Sequence, residues 1–257
     1  MITVDNVQFR AGNKYLVQAI SGRFEARKIH LIIGPNGAGK STLIKLIAGQ
    51  LPLHHGHVRY GDTDLARLSV SQLARIRAVM SQNVDLAFPM RVDEVVLLGR
   101  YPHFSVRPTS RDLEACRLAM ERFDVQDMSD RDYMTLSGGE KQRVHFARVT
   151  AQLWDSESIN VRYLLLDEPL NSLDIYYQYN FMEKVRQLCT EQNLVVIGVI
   201  HDLNLAAKYA DELTLLHQGK LLSTGTPVKV LTSENIKHAF HMHVRTQDEG
   251  GIVRILF

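Results

Sequence analysis

Three groups of residues in this chain have the types and spacing to handle a phosphate ester. The first is Gly34-Pro35-Asn36-Gly37-Ala38-Gly39-Lys40-Ser41-Thr42, preceded by the apolar run Leu31-Ile32-Ile33 and followed by Leu43-Ile44-Lys45-Leu46-Ile47-Ala48. An apolar strand, a glycine turn and an amphipathic helix in that order form a phosphate-binding loop. Glycine takes dihedrals closed to other residues, so successive N–H groups turn inward around an anion at a helix N-terminus. Lys40 adds a point charge for β and γ phosphates, and the Ser41 hydroxyl is suited to ligate Mg²⁺. An ordinary glycine-rich turn would leave the full G-x-x-x-x-G-K-S spacing unexplained.

The second group ends the apolar run Tyr163-Leu164-Leu165-Leu166 with two carboxylates, Asp167 and Glu168. Acids at the carboxyl end of a buried strand lie on the edge where doubly wound folds bind ligands. There Asp167 suits Mg²⁺, held through a water, and Glu168 suits polarising an attacking water. Alone, such a run is weak evidence, since many strands end in acids at a solvated edge; the upstream phosphate loop gives it weight. The third group is Leu136-Ser137-Gly138-Gly139-Glu140. Ser137 and Glu140 fit a capping box, and the glycines leave helix N-terminal amides open to close approach by an anion. A second phosphate surface of different design serves either two nucleotides or one nucleotide held between two copies of the chain.

These groups need a scaffold, and 257 residues suffice for one large domain or two small ones. The chain is 45% hydrophobic and 23% charged with a net charge of +2, an ordinary globular composition without a strongly basic nucleic-acid footprint. Its longest apolar run, Leu194 to Ile200, is far short of the roughly 18 residues that span a bilayer. The start, Met1-Ile2-Thr3-Val4-Asp5, lacks the pattern of a signal peptide. Cys116 and Cys189 form no CxxC pair, which suits a reducing compartment and argues against structural zinc.

Residues 2 to 9 and 15 to 24 alternate apolar and polar side chains, as paired antiparallel strands do. Strands are expected at 29–33, 57–60, 77–82, 162–166, 194–200 and 212–217, and helices at 69–76, 92–99, 111–123, 175–190 and 203–210. Gly49 fits the C′ position of the phosphate-loop helix. Phe88-Pro89, Pro102 and Pro108 punctuate a change of pattern. The expectation is one domain over 1–257: an α/β core from 1–84 and 154–257, with a helical subdomain inserted over 85–153. The βαβ alternation predicts a mainly parallel sheet with helices on both faces. From 219 onward a hairpin, a helix near 234–240 and a last strand over 251–257 are expected.

Taken together, Gly34 to Thr42, Gln82, Leu136 to Glu140 followed by Gln142-Arg143, Leu164 to Glu168, Ser172-Leu173-Asp174 and His201 resemble, in order and spacing, the ATP-binding cassette ATPases. The resemblance covers essentially the whole chain. It implies a P-loop NTPase (RecA-like) α/β core, with an N-terminal antiparallel β subdomain and an inserted helical one. It further implies ATP and Mg²⁺ as ligands and a head-to-tail homodimer, ATP lying between the phosphate loop of one copy and Ser137-Gly138-Gly139 of the other. Carried over, Gln82 senses Mg²⁺ and the γ phosphate, and His201 contacts the γ phosphate and supports Glu168. Asp174 contributes a contact across the dimer. Two departures stand out: Leu170-Asn171 replaces the usual residues after Pro169, and Ala11 falls near the usual place of the adenine-stacking aromatic. Phe9 and Tyr15 are the candidates for that stack, with Phe9 favoured.

Residues 82–90, 126–133 and 147–154 further resemble the ATPase subunits of bacterial haem importers, which belong with the iron-siderophore and vitamin B12 importers. This implies a peripheral subunit at the cytoplasmic face of the plasma membrane, docked beneath a permease dimer that a substrate-binding protein supplies. A siderophore or B12 importer stays open as an alternative. A soluble cassette ATPase of DNA repair or translation is a rival, without the coiled-coil insertion or tandem cassettes usual there; a P-loop kinase or GTPase leaves 136–140 unexplained. Histidines 54, 55 and 57, and 238, 241 and 243, lack carboxylate companions at ligand spacing and read as solvated loops.

Overall fold

Alternation in the first 24 residues becomes two antiparallel strands, β1 (Ile2–Ala11) and β2 (Lys14–Phe24). The structure, a computed structural model, describes residues 1–81, 88–154, 161–171 and 173–257. Strand β3 (Lys28–Ile33) leads into helix α1 (Lys40–Ile47), and β4 (His55–Tyr60) returns to pair with β1. The short β5 (Thr63–Asp64) completes a four-stranded sheet in the order β2-β1-β4-β5. Helix α2 (Val70–Ile76) starts at Ser69, which shares a capping box with Gln72, and β6 (Arg77–Met80) follows directly. Helices α3 (Val92–Leu97), α4 (Ser110–Arg122) and α5 (Gly138–Leu153) come next. The chain then alternates β7 (Arg162–Asp167), α6 (Ile175–Glu191), β8 (Leu194–Val199), α7 (Leu203–Tyr209) and β9 (Glu212–His217). It ends with β10 (Lys220–Gly225), α8 (Pro227–Val230), α9 (Ser233–Phe240) and the hairpin β11 (Arg245–Glu249) and β12 (Ile252–Leu256).

The second sheet has the order β10-β9-β3-β8-β7-β6 and is parallel except for β10 against β9. Successive side chains of a strand point to opposite faces, and both faces of this sheet are buried. Leu31, Ile33, Leu164, Leu166 and Val196 pack in one core with Val95, Phe146, Phe181 and Ala206 from α3, α5, α6 and α7. Ile32, Leu165, Val195 and Ile197 pack in another with Ile44 and Leu46 of α1 and with Ile2, Val4 and Val17 of the antiparallel sheet. One face therefore carries that sheet as well as a helix, an addition to the expected helices. Strand β3, which delivers the phosphate loop, is interior to the sheet.

Between α3 and α4, Arg100 is 3% exposed and pairs with Asp112 at 3.0 Å. Arg100 also donates to the Ala151 carbonyl at 2.9 Å, while the second Asp112 oxygen accepts from Thr109 N and Oγ1 at 2.9 and 2.6 Å. Phe146 of α5 stacks on Phe181 of α6 at 3.7 Å and 16°, tying the helical segment to the sheet's own helices. At the C-terminus the expected last strand is β12, and it pairs in a separate hairpin with β11, a strand that was not expected. Strand β11 reads Arg-Thr-Gln-Asp-Glu and is exposed throughout, so it carries no apolar alternation. Strand β12 buries Val253 and Ile255, and the Asn204 side chain donates to Ile255 O at 3.2 Å and accepts from Ile255 N at 2.8 Å.

Candidate functional site

The phosphate loop spans the end of β3 and the start of α1, and its glycines have separate reasons. A Cβ on Gly34 would lie 2.3 Å from Leu216 O, and one on Gly39 2.2 Å from Leu16 O. Gly37, at φ +77, has no described residue within 4 Å of where a Cβ would lie, so conformation rather than room selects glycine there. The β9–β10 turn braces the loop, Gly219 N donating to Ala38 O at 3.1 Å and Gln18 N to Gly219 O at 2.7 Å. Asn36 and Gly37 are exposed at the bend, Pro35 is half-buried, and Ser41 and Thr42 lie half-buried in the first turn of α1. Lys40 is buried, and its Nζ donates to Gly34 O at 2.8 Å and Pro35 O at 3.0 Å. An ammonium has three donors, so one stays available to a phosphate oxygen. Burial pushes the Lys40 pKa down, against the pull of Glu168 and Asp167.

Parallel strands β3, β8 and β7 are neighbours, which brings their carboxyl ends, with α1, His201, Asp167 and Glu168, to one edge. Asp167 is 5% exposed and lies near Ser41. Its pKa is raised, by burial first and by Glu168, against the Ser41 hydroxyl and the charges of Lys45 and Lys40. Asp167 Oδ1 is buried with no hydrogen-bond partner among the described residues. A hydroxyl and an unpartnered carboxylate oxygen side by side are hard oxygen donors, so these residues fit Mg²⁺.

Glu168 adopts φ +53, in the left-handed region that few side-chain-bearing residues enter. Its Oε1 lies 2.9 Å from His201 Nε2, and its Oε2 accepts from Asn171 Nδ2 at 2.8 Å. Burial pushes the Glu168 pKa up, but the His201 and Asn171 bonds and the charge of Lys40 outweigh it, leaving it lowered. This carboxylate is ionised and directed, as a group that accepts a proton from water must be.

Ser137 is the N-cap of α5: its Oγ accepts from Glu140 N at 3.3 Å, and Glu140 Oε2 accepts from Ser137 N and Oγ, both at 2.8 Å. A Cβ on Gly138 or Gly139 would meet nothing within 4 Å among the described residues, so their packing does not call for glycine there. Ser137, Gly138 and Gly139 make no hydrogen bond to residues 34–42 among the described residues. Helix α5 meets the acid cluster instead through Gln142, whose Nε2 donates to Pro169 O at 2.5 Å. Asp174 caps α6 by accepting from Tyr177 N at 3.0 Å.

Phe9 is half-buried with its ring stacked on His54 at 4.7 Å and 19°. Tyr15 is 47% exposed, its ring faced by Arg10 at 5.6 Å, and it adjoins Leu16, whose carbonyl borders Gly39. Gln82 lies outside the described residues. His55 meets Asn6 at 3.2 Å and His57 meets Asp64 at 3.0 Å, while His238 and His241 pack their rings near His217. The sequence reading missed Asn171 as a partner of Glu168; the available signal was its place three residues on, in the segment that departs from the usual pattern.

The family pattern described as ABC transporter matches residues 17–171. The hemin import ATP-binding protein HmuV of Gloeobacter violaceus is 43% identical over 240 residues, covering 93% of this chain and 87% of that protein. HmuV of Escherichia coli O157:H7 is 41% identical over 234 residues, covering 91% and 90%. A solved structure described as an inward-facing conformation of a metal-chelate type ABC transporter matches with a TM-score of 0.82, covering 100% of this chain and 97% of that one. At 24% identity, that likeness shows the shared fold. Matched by the family pattern over more than half its length, and by relatives above 40% identity along nearly all of it, the chain belongs to the ABC transporter family as an ATPase domain.

Proposed function

We propose that the chain is the ATP-hydrolysing subunit of an importer that takes up haem (hemin), working as a homodimer against the cytoplasmic side of a permease dimer. The identity to hemin import ATP-binding proteins along nearly the whole chain carries the haem assignment. The convergence of the phosphate loop, Asp167, Glu168 and His201 on one sheet edge supports the hydrolytic one. A peripheral subunit needs a membrane partner, and among the described residues no helix is long and apolar enough to cross a membrane.

On this reading the amides of residues 34–42 and Lys40 bind the β and γ phosphates of ATP. Ser41 and Asp167 would hold Mg²⁺, with Gln82 as its sensor, and the bound ion would supply positive charge against the phosphate oxygens. Glu168 accepts the proton of the attacking water as that oxygen bonds to the γ phosphorus, the bond to the bridging oxygen breaks, and ADP leaves. His201 orients Glu168 and contacts the γ phosphate. Ser137, Gly138 and Gly139 of a second copy complete the site, so ATP closes the dimer and hydrolysis releases it; the helical segment over 85–153 carries the movement to the permease. Adenine stacking falls to Tyr15, which is 47% exposed, whereas Phe9 is half-buried and stacked on His54.

Glu168→Gln is expected to keep ATP binding, trap the dimer and lower kcat by at least about 100-fold. Wild-type turnover in that variant would remove Glu168 from the mechanism. In the complex reconstituted with its permease and binding protein, hemin is expected to stimulate ATP hydrolysis. Stimulation by a ferric siderophore or a cobalamin and not by hemin would overturn the substrate.

A further inference from the structure

We propose that Asn171 is a positioning residue for hydrolysis, holding one oxygen of the Glu168 carboxylate while His201 holds the other. The inference rests on the role proposed above for Glu168. At φ +53 the Glu168 backbone has left the strand, so the pleat of β7 no longer directs its side chain. A glutamate has three rotatable bonds, and one hydrogen bond leaves the carboxylate free to turn about its terminal bond. Bonds to different oxygens, 2.9 Å from His201 Nε2 to Oε1 and 2.8 Å from Asn171 Nδ2 to Oε2, fix its plane as well as its place. An ionised carboxylate only accepts, so the Asn171 amide must present its NH₂ to it. Each carboxylate oxygen has room for more than one donor, and a water can still approach Oε2.

Asn171 can do this because its own backbone is pinned. Leu170 and Leu173 on either side are 6% and 8% exposed, anchored in the core. Gln178 Nε2 donates to both of their carbonyls, at 3.3 and 3.0 Å, and Gln142 Nε2 to that of Pro169 at 2.5 Å. Three main-chain carbonyls from residue 169 to residue 173 are thus tied to helices α5 and α6, while the Asn171 side chain faces Glu168. The N-terminal half of α5 carries Gln142, so α5 and the base share a loop whose geometry Asn171 reports to the carboxylate.

The test compares Asn171→Leu, which keeps the bulk and loses the donor, with Asn171→Asp, which keeps the shape and sets a second carboxylate beside the first. The expected result is a fall in kcat of at least about tenfold for Leu and more for Asp, with KM for ATP within about twofold of wild type. Introduced into Glu168→Gln, neither change should lower the residual rate further, because the group they position is gone. A kcat that stays the same or rises overturns the proposal; a rise would mean that Asn171 restrains Glu168 rather than aiming it. An equal fold-loss in the Glu168→Gln background also overturns it, since a merely structural role would act there too. Wild-type turnover in Glu168→Gln itself would overturn both readings, whereas a normal Asn171→Leu beside an inactive Glu168→Gln overturns this one alone.

Discussion

His30 is an imidazole that the fold holds neutral. It is 2% exposed, its Nε2 lies 2.8 Å from Glu25 N and 3.2 Å from Glu25 O, and its Nδ1 lies 3.6 Å from Glu212 Oε2. Burial lowers its pKa; the Glu25 backbone, Glu212 and Asp211 oppose this, and Lys28 adds to it. His103 is lowered for the same first reason, with Arg100 beside it. As pH falls through the ordinary histidine range the unfolded chain takes up protons that the folded one refuses, so stability is lost downward from about pH 7. Calorimetry should find Tm a few degrees lower at about pH 5.5 than at about pH 7.5, and His30→Gln should flatten that slope. A flat wild-type profile would refute the assignment. At this scale the phosphate loop was legible in the sequence because its residues are contiguous and its chemistry is in the backbone. The Phe9–His54 stack and the Asn171–Glu168 bond were not, because each depends on where the backbone turns.

Among the elements, the strands and helices with a strong period were readable, and the exceptions have physical causes. Strand β11 has only polar residues and is ordered by β12 alone, so no alternation betrays it. The expected extension of β6 to residue 82 runs beyond the described residues. The joint of α4 with α5 was hidden too, since an arginine and an aspartate twelve residues apart give no sign that both are buried. Arg100 and Asp112 satisfy each other, the Ala151 carbonyl of α5 and the Thr109 cap of α4, so removing one leaves the other charge buried without its counter-charge. Arg100→Ala should cost about 3–5 kcal/mol in denaturant unfolding, and the paired change Arg100→Met with Asp112→Leu should recover most of it. Equal losses in the single and double variants would show that the pair itself is not what the joint needs.

At the scale of the molecule, one sheet has α1 and an antiparallel sheet on one face and helices on the other, with Phe146 and Phe181 joining the helical segment to that core. The order of motifs along the chain made this architecture readable; which copy supplies each half of a nucleotide site is written in no single fold. Among the described residues nothing stands against Gly138 and Gly139 at the head of α5, while the phosphate loop is braced by β2 and the β9–β10 turn of its own chain. On the proposed reading, a chain built this way is one reactant of a bimolecular process. On the proposed dimer, hydrolysis by the detached subunit in dilute solution should follow the square of its concentration, and should become first order once a permease holds two copies together. Initial rates over a hundredfold dilution series, with and without the permease, would give the kinetic order: an order of one throughout would mean that a single chain turns over alone, and an order falling from two to one would count the chains in a working unit.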